Sequence, residues 1–148
     1  MEGIARRRPQ VLSMLVVDAS IELTWCFEDE VTAKTEAIGT RVDAEGAMVP
    51  SLWRLEVANA LLIAERRGRI DTSDMHRRLE LLAGLPILVD AETDNRAWQD
   101  TLMLAQTQGL TLYDAAYLEL AMRQGAELAT LDRDLARAAR RLGLSVEP

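Results

Sequence analysis

The stretch that most constrains this chain is Met14-Leu15-Val16-Val17-Asp18-Ala19-Ser20. Four apolar residues run unbroken into a carboxylate, and an apolar helical pattern begins at Ile21. A run without polar alternation reads as a strand covered on both faces, which is the habit of parallel sheets. Parallel strands need long crossovers, usually helices, so the stretch points to an α/β chain rather than an all-β one. Asp18 then stands at the carboxyl end of the strand, the edge where open α/β sheets place their ligands.

The rest of the chain alternates in the same way. A short helix is expected over Ile21 to Phe27, a charged turn at Glu28-Asp29-Glu30, and a helix from about Val31 to Ala44 closed by Gly46. Ala47-Met48-Val49 reads as a second strand closed by Pro50. Ser51 is the expected N-cap of a helix from about Leu52 to Arg67, with Leu55, Ala58 and Leu62 as its buried stripe. A helix from about Asp74 to Ala83 follows, opened by Asp71-Thr72-Ser73-Asp74. Ile87-Leu88-Val89 is a third strand. Thr93 or Asp94 caps a helix reaching about Gln108, and Asp114 opens one reaching Gln124. Glu127 to Thr130 is a fourth strand, Asp132 to Leu142 a last amphipathic helix, and Leu144-Ser145-Val146 an edge strand. The expectation is a three-layer α/β/α fold on a central parallel sheet of four or five strands, with residues 1–13 a disordered leader and 14–148 a single domain.

Composition narrows the function. At 148 residues one domain can bury a full core. Aromatic residues make up 4%, too few for a platform on which single-stranded bases stack. The net charge of −7 argues against a broad basic surface, although a bound cation would reverse the sign locally at a carboxylate site. The single cysteine, Cys26, excludes an internal disulfide and reads as a small core residue. No apolar run approaches the ~20 residues of a membrane span, so no membrane partner and a cytoplasmic location are expected.

Four acids carry the chemistry. Asp18 ends the first strand, Glu56 lies on the second long helix with Asn59 one turn on, Asp114 begins a helix, and Asp132 follows the fourth strand. Each has a plain alternative: an N-cap for the three aspartates, an ordinary surface glutamate for Glu56. Together they say more, because strand carboxyl ends and helix amino ends share one edge of a parallel sheet. Carboxylates gathered there repel one another unless a cation joins them. Oxygen donors, with one His and one Cys in the chain, suit Mg²⁺ or Mn²⁺ rather than zinc.

These residues also carry a resemblance. Val16-Val17-Asp18-Ala19-Ser20, Pro50-Ser51-Leu52-Trp53 with Glu56-Val57-Ala58-Asn59, Tyr113-Asp114-Ala115-Ala116-Tyr117 and Leu128-Ala129-Thr130-Leu131-Asp132 resemble, in order and context, the motifs of PIN-domain ribonucleases, and among them the VapC toxins of bacterial toxin–antitoxin pairs. The resemblance spans roughly Met14 to Val146. It implies that Asp18, Glu56, Asp114 and Asp132 form an acidic catalytic pocket for Mg²⁺ or Mn²⁺, with Asn59, Ser20 and Thr130 supporting it and Asp134 a possible extra acid. It implies an endoribonuclease that hydrolyses RNA phosphodiesters, a cognate antitoxin protein, and a homodimer. Arg54, near Glu56, is the first candidate for a phosphate contact. Trp25, Phe27, Trp53 and Leu61 are read as core, with an antitoxin groove or dimer surface as the alternative.

Two other readings compete. A strand-end aspartate can be a phosphoryl acceptor, but a dehalogenase-type phosphatase wants a second Asp at the place of Ser20, and a receiver domain wants a late Lys where this chain has only Lys34. A PIN-like fold kept as a catalytically inactive binding or regulatory module is the non-enzymatic alternative, and the four intact acids speak against it.

Overall fold

In the computed structural model, which describes residues 14–148, strands β1 (Leu15–Val17), β2 (Ala47–Val49), β3 (Ile87–Val89), β4 (Leu128–Ala129) and β5 (Val146–Glu147) form one sheet in the order β3-β2-β1-β4-β5. Every pairing is parallel. The expected leader lies outside the described residues. The chain builds outward from β1 on one side through β2 and β3, then returns to lay β4 and β5 on the other. The order therefore reverses at β1, and a crevice opens at the carboxyl ends of β1 and β4.

Alternation along the strands sorts the core into two layers, since successive side chains point to opposite faces. Val16, Met48 and Leu128 pack with Tyr117, Leu118 and Leu135 beneath α6 (Leu102–Gln108), α7 (Leu112–Gln124) and α8 (Arg133–Arg141). Leu15, Val17, Ala47 and Ala129 face Ile21, Ile38 and Val42 of α1 (Ala19–Trp25) and α2 (Ala33–Glu45). Val49 packs with Trp53, Val57 and Leu61 of α3 (Trp53–Arg66) and Leu82 of α4 (Thr72–Ala83). The fold is thus three-layer α/β/α, as expected. Phe27, Trp53 and Leu61 are core, Cys26 is buried and unpaired, and Trp25 donates its indole N–H to the Thr35 carbonyl. Among the described residues no helix is long and apolar enough to cross a membrane.

Several local expectations give way. Ser51 does not cap α3; its amide instead donates to the Thr93 hydroxyl, and Leu52 occupies the cap position without a side-chain bond. The buried stripe of α3 is Trp53, Val57, Leu61 and Ala64, while Leu55 is 76% exposed and Ala58 is exposed. Two apolar stripes at helical spacing coexist on this helix, and packing against β2 selects the one carrying Trp53. The acids at Glu28–Glu30 form a 3₁₀ turn, and α2 is capped by a reciprocal Thr32–Thr35 box. The helix expected from Thr93 to Gln108 forms as α5 (Thr93–Arg96) and α6 joined through a π-helical segment at Ala97–Thr101, with Glu92 at its cap position.

The stripe can be tested directly. Leu61→Ala should destabilise by about 2–5 kcal/mol in urea unfolding, as a large-to-small change in a closed core does. Leu55→Ala should stay within about 0.5 kcal/mol, as surface changes do. The reverse ranking would restore the stripe through Leu55.

Candidate active site

Parallel pairing of β1 with β4 builds the centre of the site. Val17 is in register with Ala129, so Asp18 and Thr130, the next residues, leave the sheet side by side. The Asp18 amide donates to the Ala129 carbonyl at 2.9 Å. The Asp18 side chain is 5% exposed, and its Oδ2 accepts from the Thr130 and Ser20 hydroxyls, both at 2.8 Å. The hydroxyls are themselves placed from the β4 side: the Leu131 amide donates to Ser20 Oγ and the Asp132 amide to Thr130 Oγ1, each at 3.0 Å. Ser20 and Thr130, the residues expected to support the pocket, are thus both bonded to Asp18. Burial raises the Asp18 pKa, the two hydroxyl bonds draw it down, and the charge of Asp132 raises it further.

Asp132 keeps its plain role beside any other. It is the N-cap of α8, with Oδ1 accepting from the Leu135 amide at 2.9 Å. Asp114 does not begin its helix. Thr111 is the cap of α7, accepting from the Asp114 amide at 3.1 Å, which places Asp114 in the first turn with its carboxylate released from capping. Since α7 leads back to β4, its amino end lies at the sheet's carboxyl edge. Burial, then the charges of Asp132 and Asp18, push the Asp114 pKa up to about 6. Exposed Asp134 adds a smaller push on Asp114.

Glu56 enters from α3, which follows β2. It is half-buried, and Oε1 accepts from the Tyr117 hydroxyl at 2.6 Å, a bond that joins helices on opposite faces of the sheet. Its pKa is raised by burial and by Asp18 and Asp114, against the lowering effect of Tyr117. Tyr117, fully buried and beside that carboxylate, has its own pKa raised and stays a donor. Asn59, expected to support the pocket, is exposed, and the side chain that bonds Glu56 among the described residues is Tyr117. Arg54, two residues from Glu56, is turned about 200° around the helix. It lines an apolar cleft with Trp53, Leu79 and Leu82 rather than facing the acids.

One acid escaped the sequence reading. Glu22 on α1 is fully buried, and neither carboxylate oxygen has a hydrogen-bond partner among the described residues. Burial and the charges of Asp18 and Glu56 raise its pKa well above the glutamate range. The signal was present in the spacing: Glu22 is one turn from Asp18, interrupting the apolar pattern opened by Ile21.

A divalent cation fits this donor set. The groups are carboxylates and hydroxyls, the acids raise one another's pKa, and buried Glu22 has no donor to satisfy it among the described residues. Among the described residues no three His, Cys, Asp or Glu side chains are already placed to hold one metal ion.

The sequence matches the family described as PIN domain over residues 15–141. This chain belongs to the PIN domain family. It is 34% identical to a protein named ribonuclease VapC3 from Pyrobaculum aerophilum over 122 residues, 82% of this chain and 92% of that protein. It is 37% identical over 81 residues to exonuclease VapC9 of the same organism, covering 54% of this chain and 57% of that one. Its fold is similar to the crystal structure of PAE2754 from Pyrobaculum aerophilum, with a TM-score of 0.66 and 27% identity over 98% of this chain and 90% of that one.

A pH dependence follows for the metal-free protein. The Glu22 pKa is higher in the fold than in the unfolded chain, so its burial is tolerated at low pH and becomes destabilising as pH rises past the ordinary glutamate range. The stability advantage of Glu22→Gln over the parent should therefore widen between about pH 5 and about pH 8. Melting curves in EDTA would show it, at about 2–4 °C for each kcal/mol. A difference that stays flat across that range would contradict a buried, unpaired carboxylic acid.

Proposed function

We propose that this PIN domain is a metal-dependent endoribonuclease, the toxin of a toxin–antitoxin pair, acting in the cytoplasm on RNA phosphodiesters. The observation that carries the reading is the buried Asp18 carboxylate, fixed by Ser20 and Thr130 at the edge where Glu56, Asp114 and Asp132 gather. The relatives named as a ribonuclease and an exonuclease support it. So does the position of Ser20, which serves Asp18 as a donor where a dehalogenase-type phosphatase would need a carboxylate.

Asp18, Asp114 and Asp132 would hold the cation, Mg²⁺ or Mn²⁺, with Glu56 beside them. Such an ion lowers the pKa of bound water and offsets charge developing on the phosphate. The protein's own contribution is orientation and proton transfer. The Ser20 and Thr130 hydroxyls lock the Asp18 carboxylate in one rotamer, so that little reorganisation is needed when the substrate arrives. The Tyr117 hydroxyl holds Glu56 Oε1 and aims the carboxylate over the pocket. A glutamate raised from its ordinary range is a better base towards an attacking water. In-line displacement would leave a 5′-phosphate and a 3′-hydroxyl. An antitoxin protein and a second copy of the chain are the partners that complete this reading.

Asp18→Asn should abolish cleavage of single-stranded RNA in Mg²⁺ or Mn²⁺, with the circular dichroism spectrum unchanged. Undiminished cleavage by folded Asp18→Asn protein would refute the assignment. Tyr117→Phe should retain the fold and lower kcat by ~10-fold, less than the roughly 10²–10⁴-fold of a general acid–base group itself, because Tyr117 only orients Glu56. An unchanged kcat would show that Glu56 needs no orientation.

A further inference from the structure

Resting on the nuclease reading, we propose that the outer face of α8 is the track on which the RNA strand leaves the acidic pocket, gripped at its phosphates by Arg133, Arg137, Arg140 and Arg141. An open groove of about 680 Å³ is lined by these arginines together with Thr130 and Asp132. It is therefore continuous with the acid site at one end and basic along the rest. The arginines recur at spacings of four, three and one, on the side of α8 away from its buried Leu135, Ala138 and Ala139, and span ~12 Å of helix.

Charge accounting sets this helix apart in a chain of net charge −7. Several other arginines are neutralised nearby, Arg123 by Glu119 and Asp90, Arg69 by Asp29 and Arg96 by Asp100, while Arg54, Arg66 and Arg67 have no ion pair among the described residues but do not line the groove that holds Asp132. On α8, Arg133 and Arg140 have no ion pair among the described residues, and exposed Arg137 has only a 3.7 Å contact with Asp134. Arg141 donates to the uncharged Gln108 side chain. Helix electrostatics explain Arg140 and Arg141 in the last turn, but not Arg133 in the first, where a cation opposes the helix dipole. The occupant must also tolerate Asp132 at the mouth of the groove. An acidic peptide would meet repulsion there. An RNA strand would not, because its scissile phosphate reaches the carboxylates together with a divalent cation while the flanking phosphates lie on the guanidinium groups.

The test uses the Asp18→Asn full-length protein, so that RNA is bound and not consumed. Binding of a labelled single-stranded RNA of mixed sequence is followed by fluorescence anisotropy across a salt series with Mg²⁺ present. Adding Arg137→Gln, Arg140→Gln and Arg141→Gln should weaken binding ~10-fold and flatten the dependence of log K on log salt by about 0.7 for each lost phosphate contact. Arg54→Gln should leave both unchanged. Equal affinity and slope in the triple variant would overturn the proposal, as would an equal loss from Arg54→Gln. Displacement from the groove by polyglutamate but not by RNA would also overturn it, in favour of an acidic protein segment. If the unmodified enzyme cut no RNA while arginine-dependent binding persisted, the track would stand and the catalytic reading alone would fall.

Discussion

The molecule depends on the lateral pairing of β1 with β4. The two strands are far apart in sequence, yet their register sets Asp18 beside Thr130 and gives a buried carboxylate two hydroxyl donors. Without them Asp18 would be a desolvated charge with little to offset it, and such a group is costly to fold around. The same residues continue outward: Ser20 and Thr130 accept the amides of Leu131 and Asp132, so the turn after β4 is positioned by the groups that hold Asp18. Fold and site share one set of bonds there.

Around that centre the electrostatics are unfavourable by arrangement. Asp18, Glu22, Glu56 and Asp114 all have raised pKa values, in each case first because of burial and then because of one another or Asp132. Elsewhere the chain pairs its buried carboxylates, as in the cluster of Arg123 with Glu119 and Asp90. A fold that neutralises acids in one place and concentrates them unpaired in another is strained where it binds, the common situation of functional sites. Glu22 sharpens the contrast, since it is fully buried within reach of the charges of Asp18 and Glu56 and has no compensating donor among the described residues.

The layers and the strands were legible because each signal is local. An unbroken apolar run identifies a buried parallel strand whatever surrounds it. What failed were choices among options that local chemistry leaves equal. On α3 the stripe through Leu55 and that through Trp53 both satisfy helical spacing, and only the position of β2 separates them. Asp114 was a good cap by residue type, but Thr111 three residues earlier was another, and taking the cap there released the aspartate. The bond that holds Glu56 comes from Tyr117, 61 residues away in sequence, a partner that spacing along α3 could not indicate.

By itself, then, the sequence determined that strands would alternate with helices, that the sheet would be parallel, and that acids would stand at its carboxyl edge, because periodicity and residue type act over a few neighbours. The tertiary structure alone decided that Tyr117 holds Glu56, that Glu22 is buried near Asp18 and Glu56, and that the arginines of α8 line one groove with Asp132 while Arg54 lines another cleft. Those relations are set by strand register and by the rotation of each helix against the sheet, and neither is a property of any short segment.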